Sequence, residues 1–417
     1  MAQLTDDALA FGGTLSTVDD AIAGFRTHLR PVADIETVSL AAADGRVLAR
    51  DVIAPLAIPS FANAAVDGYA VRMADIAAHG ETTLLVVARV IAGSAAATAL
   101  RPGEAIRVFT GAPLPPGADT VYMQEDVRLE DGRVIVPGGL RQGANVRFIG
   151  EDLAQGAVAV SAGRRLRPED LGLAAALGIA RLDVRRRLRV AVVSTGNEVV
   201  EPGSALPTAA LYDANRFILA ALVRRAGAEV LDLGIVRDDR AAIAAALADT
   251  AGRADVIITS GGVSTGDEDH VKAAVEAAGR LVWWRIGIKP GRPVAMGVVR
   301  GAAFLGLPGN PVAAFVTFTQ IVRPLLAALA GEAWAPPRPT RVMSRFVHEK
   351  KAGRREFVRV RLETGADGTL VALKHAQDGA GVITSLTASH GLVALPESVT
   401  RVEIGDWVDF IAFALLD

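Results

Sequence analysis

The chain has 417 residues, no cysteine and six histidines, and its 44 Lys and Arg against 46 Asp and Glu leave a formal net charge of −2 and a pI near 6.3. That length exceeds what one ordinary core fills and implies roughly two to four domains. The missing cysteine excludes disulfides, Fe–S clusters, thiolate zinc sites and a cysteine nucleophile, and the near-neutral charge excludes a whole-surface attraction for nucleic acid or anionic membrane.

Residues 1–13 carry no basic n-region, apolar h-region or small-residue cleavage site and read as a lead-in. No apolar run of roughly 18 to 20 residues is free of charged or turn residues, so a cytoplasmic location is expected. Ser16 is placed to cap a helix running towards Leu29, with Asp19 and Asp20 in its first turn and Ile22, Phe25 and Leu29 on one face; Pro31 ends it. Short β-rich runs at 84–90, 105–109, 120–123 and 134–136, divided by Gly and Pro, predict a small β unit at 54–151. Its flanks, 14–53 and 152–187, read as one discontinuous helical linker domain into which that unit is inserted.

From residue 188 the pattern becomes strand, helix, strand, helix as far as 332, with strands at 188–193, 230–233 and 256–258 and helices at 217–225, 240–249 and 270–278. Such alternation predicts a parallel sheet with helices on both faces. The consecutive prolines at 336–339 break the chain, and alternating runs at 356–362 and 407–410 predict a small C-terminal β domain at 337–417.

Four loops of the α/β segment carry chemistry. The stretch Ser260, Gly261, Gly262, Val263, Ser264, Thr265, Gly266, Asp267, Glu268, Asp269 follows a buried strand, where α/β sheets bind ligands. Its paired glycines admit backbone N–H groups to an anion, its hydroxyls add donors, and its carboxylates offer hard oxygen ligands to a divalent ion. An ordinary surface turn has the same composition, so the neighbours decide. Ser194, Thr195, Gly196, Asn197 and Glu198 form a second loop leaving a strand end. Lys289 and Arg292 sit on a proline-stiffened segment with Arg285 four residues earlier, a cation set suited to a dianion. In Leu307-Pro308-Gly309-Asn310-Pro311, Asn310 and Pro311 are good N-cap and first helical residues, and helix starts bind anions.

Several motifs in order give the chain its resemblance: Pro59-Ser60-Phe61 with Asp67-Gly68-Tyr69, Thr110-Gly111-Ala112-Pro113, Gly150-Glu151-Asp152, Ser194-Thr195-Gly196, Ser260-Gly261-Gly262, Lys289-Pro290-Gly291 and Pro308-Gly309-Asn310-Pro311. From about Ser16 to Phe410 it resembles the MoeA family of molybdopterin molybdenumtransferases, relatives of the gephyrin E domain. The resemblance implies a multidomain α/β and β protein: a central doubly wound, molybdopterin-binding-like α/β domain, the inserted β domain, the helical linker domain and a C-terminal β-barrel. It implies Mg²⁺-dependent insertion of molybdenum from molybdate into adenylylated molybdopterin with release of AMP, in a homodimer whose cleft the partner chain completes.

Carried onto matching positions, the resemblance implies Glu198, Asp238 and Asp269 as metal or substrate ligands, with Lys289 and Arg285 near the anion. It adds Asp67, Thr110 and Asp152 from the inserted unit and its border. Arg359 is the implied arginine at the molybdate end of the cleft. The chain departs from the family at Val66, Asn197, Arg285, Arg292 and Ala380, where Ala380 stands for a serine and leaves Ser385 as the nearby hydroxyl. Two other activities fit parts of the pattern. Adenylylation of molybdopterin is disfavoured by the additional domains, and a non-catalytic cofactor-binding or scaffold protein would bind cofactor without releasing AMP.

Overall fold

The computed structural model describes all residues except 1–3, 6–8, 10–14, 95–97, 262–269, 292–293 and 417, and within one strand it leaves aside the side chains of Trp283 and Arg285. The chain forms two compact units, one of Met1–Arg50, Ala162–Leu166 and Leu182–Asp417, the other of Asp51–Ser161 and Arg167–Arg181.

The smaller unit is built on a six-stranded sheet in the order Thr120–Met123, Gly68–Val71, Glu104–Val108, Glu81–Val90, Arg133–Pro137 and Arg128–Glu130. Period-2 alternation buries both faces: Ala70, Ile106 and Val121 pack on one, and Tyr69, Val71, Ala105 and Val134 on the other. The β-rich runs read from sequence are therefore genuine strands.

In the larger unit a seven-stranded sheet has four parallel strands running from its middle to one edge, in the order Ala302–Leu307, Val256–Ser260, Arg189–Thr195 and Glu229–Val236. Alternate residues of these strands feed two cores. Val190, Val192, Ile258 and Leu305 meet helices Val18–His28, Asn215–Arg225, Pro311–Thr317 and Arg323–Ala330. Ala191, Ile257 and Phe304 meet helices Arg240–Ala251 and His270–Ala278 on the opposite face. Burial on both sides explains why residues 190–193, residues 256–258 and Ala302–Leu307 read as unbroken apolar runs, whereas the edge strand Glu229–Val236 carries exposed Glu229 and Asp232.

Three expectations need correction. The sheet is mixed rather than parallel: Val294–Val299 runs antiparallel to Ala302–Leu307, and Gly279–Ile286 antiparallel to Val294–Val299. The turn between the first two is Arg300-Gly301, both at positive φ (47° and 87°), a tight hairpin that an Arg-Gly pair signals only weakly. Thr17, not Ser16, caps the first helix, in a capping box with Asp20, while Ser16 pairs with Ile286 in the sheet. The flanks read as helical carry two α-helices, Val18–His28 and Pro168–Ala176, but also the short strands Ile35–Ser39, Val52–Ile53, Val158–Val160 and Arg181–Arg185.

Among the described residues one helical stretch, Pro311–Ala330, is long and apolar enough to cross a membrane, where the sequence leads one to expect charged or turn residues to interrupt every such run. Its most apolar window is 78% buried in the core of the larger unit. The C-terminal segment closes a five-strand barrel: Arg355–Thr364, Leu370–Lys374, Thr340–Ser344, Trp407–Ala412 and Gly391–Leu395, which pairs back onto Arg355–Thr364. Closure leaves no free edge in the ring and surrounds a core of Val342, Val358, Val360, Val393 and Phe410.

Behind the sheet, Glu332 is clamped by Arg165 (2.6 and 3.1 Å) and Arg323 (3.3 Å), and Arg165 also donates to Gly45 O and Ala226 O. Burial alone would raise the Glu332 carboxyl, but the two guanidiniums outweigh it and hold it below the usual range. Glu332→Gln should therefore lower stability by about 3 kcal/mol at neutral pH, read by urea unfolding, because it strands buried cations. A depressed carboxyl contributes stability that is present above its unfolded pKa and lost as pH falls through its folded value. The variant should accordingly lose stability less steeply than wild type on acidification, and identical acid limbs would contradict this account.

Candidate active site

Register brings three loop starts together at the carboxyl ends of adjacent strands: Ser194 lies opposite Ser260, and Ser260 opposite Leu307. On the other side Thr195 lies opposite Val236, which sets Asp238 just beyond the neighbouring strand. Two glycines permit this crowding. Gly261 has φ +85°, donates to Leu307 O at 3.2 Å, and would place a Cβ 2.8 Å from Thr195 O. At Gly196 (φ +139°) a Cβ would come 2.7 Å from a carboxylate oxygen of Glu198, so that side chain folds back over the loop.

Polar atoms without partners concentrate here. Among the described residues Ser194 Oγ, Thr195 Oγ1 and Asp238 Oδ1 are buried and find no hydrogen-bond partner, and Ser194 and Thr195 are only 2% and 3% exposed. Each such group costs about 1–3 kcal/mol, a penalty native folds rarely accept except where a ligand satisfies the atoms. The Asn197 departure keeps its geometry: Asn197 Oδ1 accepts the Asp238 N–H at 3.3 Å, tying the two loops as a carboxylate would but with one negative charge fewer.

Asn215 was not singled out by sequence, because its helix was read as starting at Phe217. It is the second residue met after Asp213 and opens helix Asn215–Arg225; its Nδ2 donates to Ser260 Oγ (2.8 Å) and Gly309 O (2.7 Å), locking the two loops together. Next to it, buried Arg216 bonds Asp213 (3.0 Å), Asp232 (2.7 and 2.8 Å) and Glu201. Burial opposes its charge, yet these three carboxylates push the guanidinium further up from its ordinary range.

At the helix start Asn310 is the N-cap, but its side chain makes no capping bond, and Pro311 has no N–H. The Val312 N–H donates to Ala380 O at 3.0 Å, so one of the amides expected to face an anion instead holds the 380 loop. Beside this lies a cavity of about 290 Å³ lined by Lys289, Pro308, Asn310, His348, Arg354, Glu356, Arg359, Asp378 and Ala380 among others. Arg359 is 4% exposed, with Nε on Ser385 Oγ (3.1 Å) and Nη2 on Gln377 O and Gly379 O (3.2 and 3.4 Å). Burial draws its guanidinium below the ordinary range, with Asp378 acting the other way; it remains a cation at any working pH. Ser385, expected to face substrate in place of the family serine, is fully buried and donates its hydroxyl to Val382 O at 2.6 Å. Its oxygen accepts from Arg359 Nε, so the contact it makes is with that guanidinium.

Gly262, Ser264, Asp269 and Arg292 lie outside the described residues, as does the side chain of Arg285, whose backbone pairs with Leu15. Among the described residues no three His, Asp or Glu side chains converge as a metal site. Glu198 and Asp238 remain as the described hard-oxygen donors, and the unpartnered Asp238 Oδ1 is of the type Mg²⁺ takes.

In the smaller unit, Asp67 Oδ1 accepts both the Thr110 N–H (2.8 Å) and the Thr110 hydroxyl (2.7 Å), which hold its carboxyl below the usual range. Arg107 lies over the Tyr69 and Phe109 rings at 4.9 and 5.0 Å, completing the same corner. Asp152 is exposed, with its N–H on Ile58 O at 3.1 Å.

Three comparisons bear on these observations. Residues 16–178 match the MoeA N-terminal region (domain I and II), 191–328 the probable molybdopterin binding domain, and 343–413 the MoeA C-terminal region (domain IV). The chain is 37% identical over 399 residues to the molybdopterin molybdenumtransferase of Haemophilus influenzae, covering 95% of this chain and 98% of that one. It is 38% identical over 395 residues to molybdopterin molybdenumtransferase 2 of Mycobacterium tuberculosis, covering 91% and 96%. A solved structure of the molybdopterin biosynthesis MoeA protein of Pyrococcus horikoshii superposes with a TM-score of 0.80 at 28% identity, over 95% of this chain and all of that one.

Proposed function

The chain belongs to the MoeA family, and from that we propose that it is a molybdopterin molybdenumtransferase which inserts molybdenum from molybdate into adenylylated molybdopterin and releases AMP. The observation that carries this reading is the group of unpartnered buried atoms, Ser194 Oγ, Thr195 Oγ1 and Asp238 Oδ1, at adjoining strand ends of its α/β domain. The Gly261 and Gly196 loops bring backbone close to a phosphate there, Asn215 holds the loops in register, and Arg359 with Lys289 receives the oxyanion at the barrel side. Bound Mg²⁺, held by Glu198 and Asp238 with Asp269, would screen the phosphoanhydride. The dithiolene of the substrate supplies the sulfur that a chain without cysteine lacks. Purified protein given adenylylated molybdopterin, Mg²⁺ and molybdate should release AMP; no release above blank overturns the proposal.

The same reading makes the working form a cytoplasmic homodimer in which Asp67, Thr110 and Asp152 of one protomer complete the cleft of the other. Complementation tests this. If Asp67 and Asp238 serve one site from different protomers, the inactive variants Asp67→Asn and Asp238→Asn, mixed under conditions of subunit exchange, should recover about a quarter of wild-type turnover, since half the dimers are mixed and each has one intact site. Mixing without recovery, despite proven exchange, would place both carboxylates in a single chain or show no shared site.

A further inference from the structure

We propose that Glu356 is a positioning residue for oxyanion capture, fixing the ammonium of Lys289 at the rim of the cavity. This rests on the reading of that cavity as the molybdate end of the site.

Glu356 is 2% exposed on the first residues of a barrel strand, and its whole carboxylate is taken up. Oε2 accepts from Lys289 Nζ at 3.0 Å and from His348 Nε2 at 3.1 Å, and Oε1 from Arg354 Nε at 2.9 Å. The contact is set by backbone as well. Residues Ile288–Lys289 pair in parallel with Arg355 and Glu356, Lys289 opposite Glu356, and Arg355 N donates to Gly287 O at 2.7 Å. The segment bearing Lys289 is thereby sewn to the barrel at the residue that grips its side chain. Lys289 itself is half-exposed, so without this grip its long stem would sample solvent.

The other contacts hold Glu356 in turn. A lysine ammonium only donates, so the 3.0 Å contact of Lys374 Nζ with His348 Nδ1 makes that nitrogen the acceptor and leaves Nε2–H to donate to Glu356. Lys374 is anchored by Asp378 in the loop that also supports Arg359. Burial would raise the Glu356 carboxyl, but its bonds from His348 and Lys289 prevail and keep it ionised below the usual range. One carboxylate thus links the two cations, Lys289 and Arg359, through a continuous chain of contacts.

Charge and positioning predict opposite results. On charge alone, removing a carboxylate from a cationic pocket tightens anion binding; if Glu356 positions Lys289, its removal weakens binding by about tenfold or more. Binding of sodium molybdate to the apo protein at fixed ionic strength, measured by isothermal titration calorimetry, decides between them for wild type, Glu356→Gln, Lys289→Met and the double variant. The expected result is weaker binding in Glu356→Gln and no further loss when Glu356→Gln is added to Lys289→Met. Equal or tighter binding in Glu356→Gln overturns the proposal, as does an undiminished effect of Glu356→Gln in the Lys289→Met background. Wild-type protein that binds no molybdate would overturn the reading of the cavity as well. If Glu356→Gln does not fold, Glu356→Asp carries the test: it keeps the charge but shortens the reach, and unchanged molybdate binding in that variant overturns the proposal.

Discussion

Arg359→Ala is expected to lower molybdate-dependent AMP release by about 10²–10³-fold, the usual loss when one preorganised donor to a charged reacting group is deleted. Ser385 Oγ, Gln377 O and Gly379 O fix the guanidinium plane before substrate arrives, so its remaining N–H groups cost no reorganisation on binding. Burial strengthens the effect by lowering the local dielectric. Arg359→Lys should recover little, because a point charge on a flexible stem cannot use those three partners as a planar fork does. The defect should appear in turnover at saturating molybdate as well as in a raised half-saturating molybdate concentration. A variant whose turnover and molybdate dependence match wild type would remove Arg359 from the site.

The fold was legible in proportion to how local its signals are. Val190 to Val193 and Val256 to Ile258 are buried on both faces, so their short apolar runs bounded by turn residues read as interior strands, without saying which way their neighbours run. The helices read at 240–249 and 270–278 are found at Arg240–Ala251 and His270–Ala278, the first of them capped by the adjacent Asp239, whose side chain accepts from the Ala242 N–H. The antiparallel side of the sheet is different. Its direction depends on an Arg300-Gly301 turn with no strong sequence signature, and barrel closure depends on pairing Arg355–Thr364 with the distant Gly391–Leu395. Neither is written in a local pattern.

The candidate site divides along the same line. Loops leaving strand ends were readable because Gly, Ser, Thr and Asp after an apolar run suit close approach to an anion. The residues that hold them were not. Asn215, Glu356 and His348 are single polar residues amid ordinary sequence, and their importance arises only when folding sets Asn215 between Ser260 and Gly309, and Glu356 against Lys289. Ser385 shows the converse: a hydroxyl near the right place in sequence turns inward and accepts from an arginine.

Asp238→Asn should separate stability from activity. Among the described residues Asp238 Oδ1 is buried without a partner, a cost of about 1–3 kcal/mol, and more for a charged oxygen than for an amide. Neutralising it therefore leaves the fold as stable as wild type or raises its melting temperature. The Asp238 N–H keeps its bond to Asn197 Oδ1, so the loop has no reason to move. Turnover should nevertheless fall by about 10²-fold, and the Mg²⁺ concentration needed for half-maximal AMP release should rise, because an amide oxygen is a far weaker ligand for a hard cation than a carboxylate. A stabilised but inactive variant is the mark of a group kept for function at the expense of the fold. Were Asp238 merely a loop residue, Asp238→Asn would retain wild-type turnover with unchanged Mg²⁺ dependence, and thermal denaturation alongside an Mg²⁺ titration of AMP release distinguishes the two.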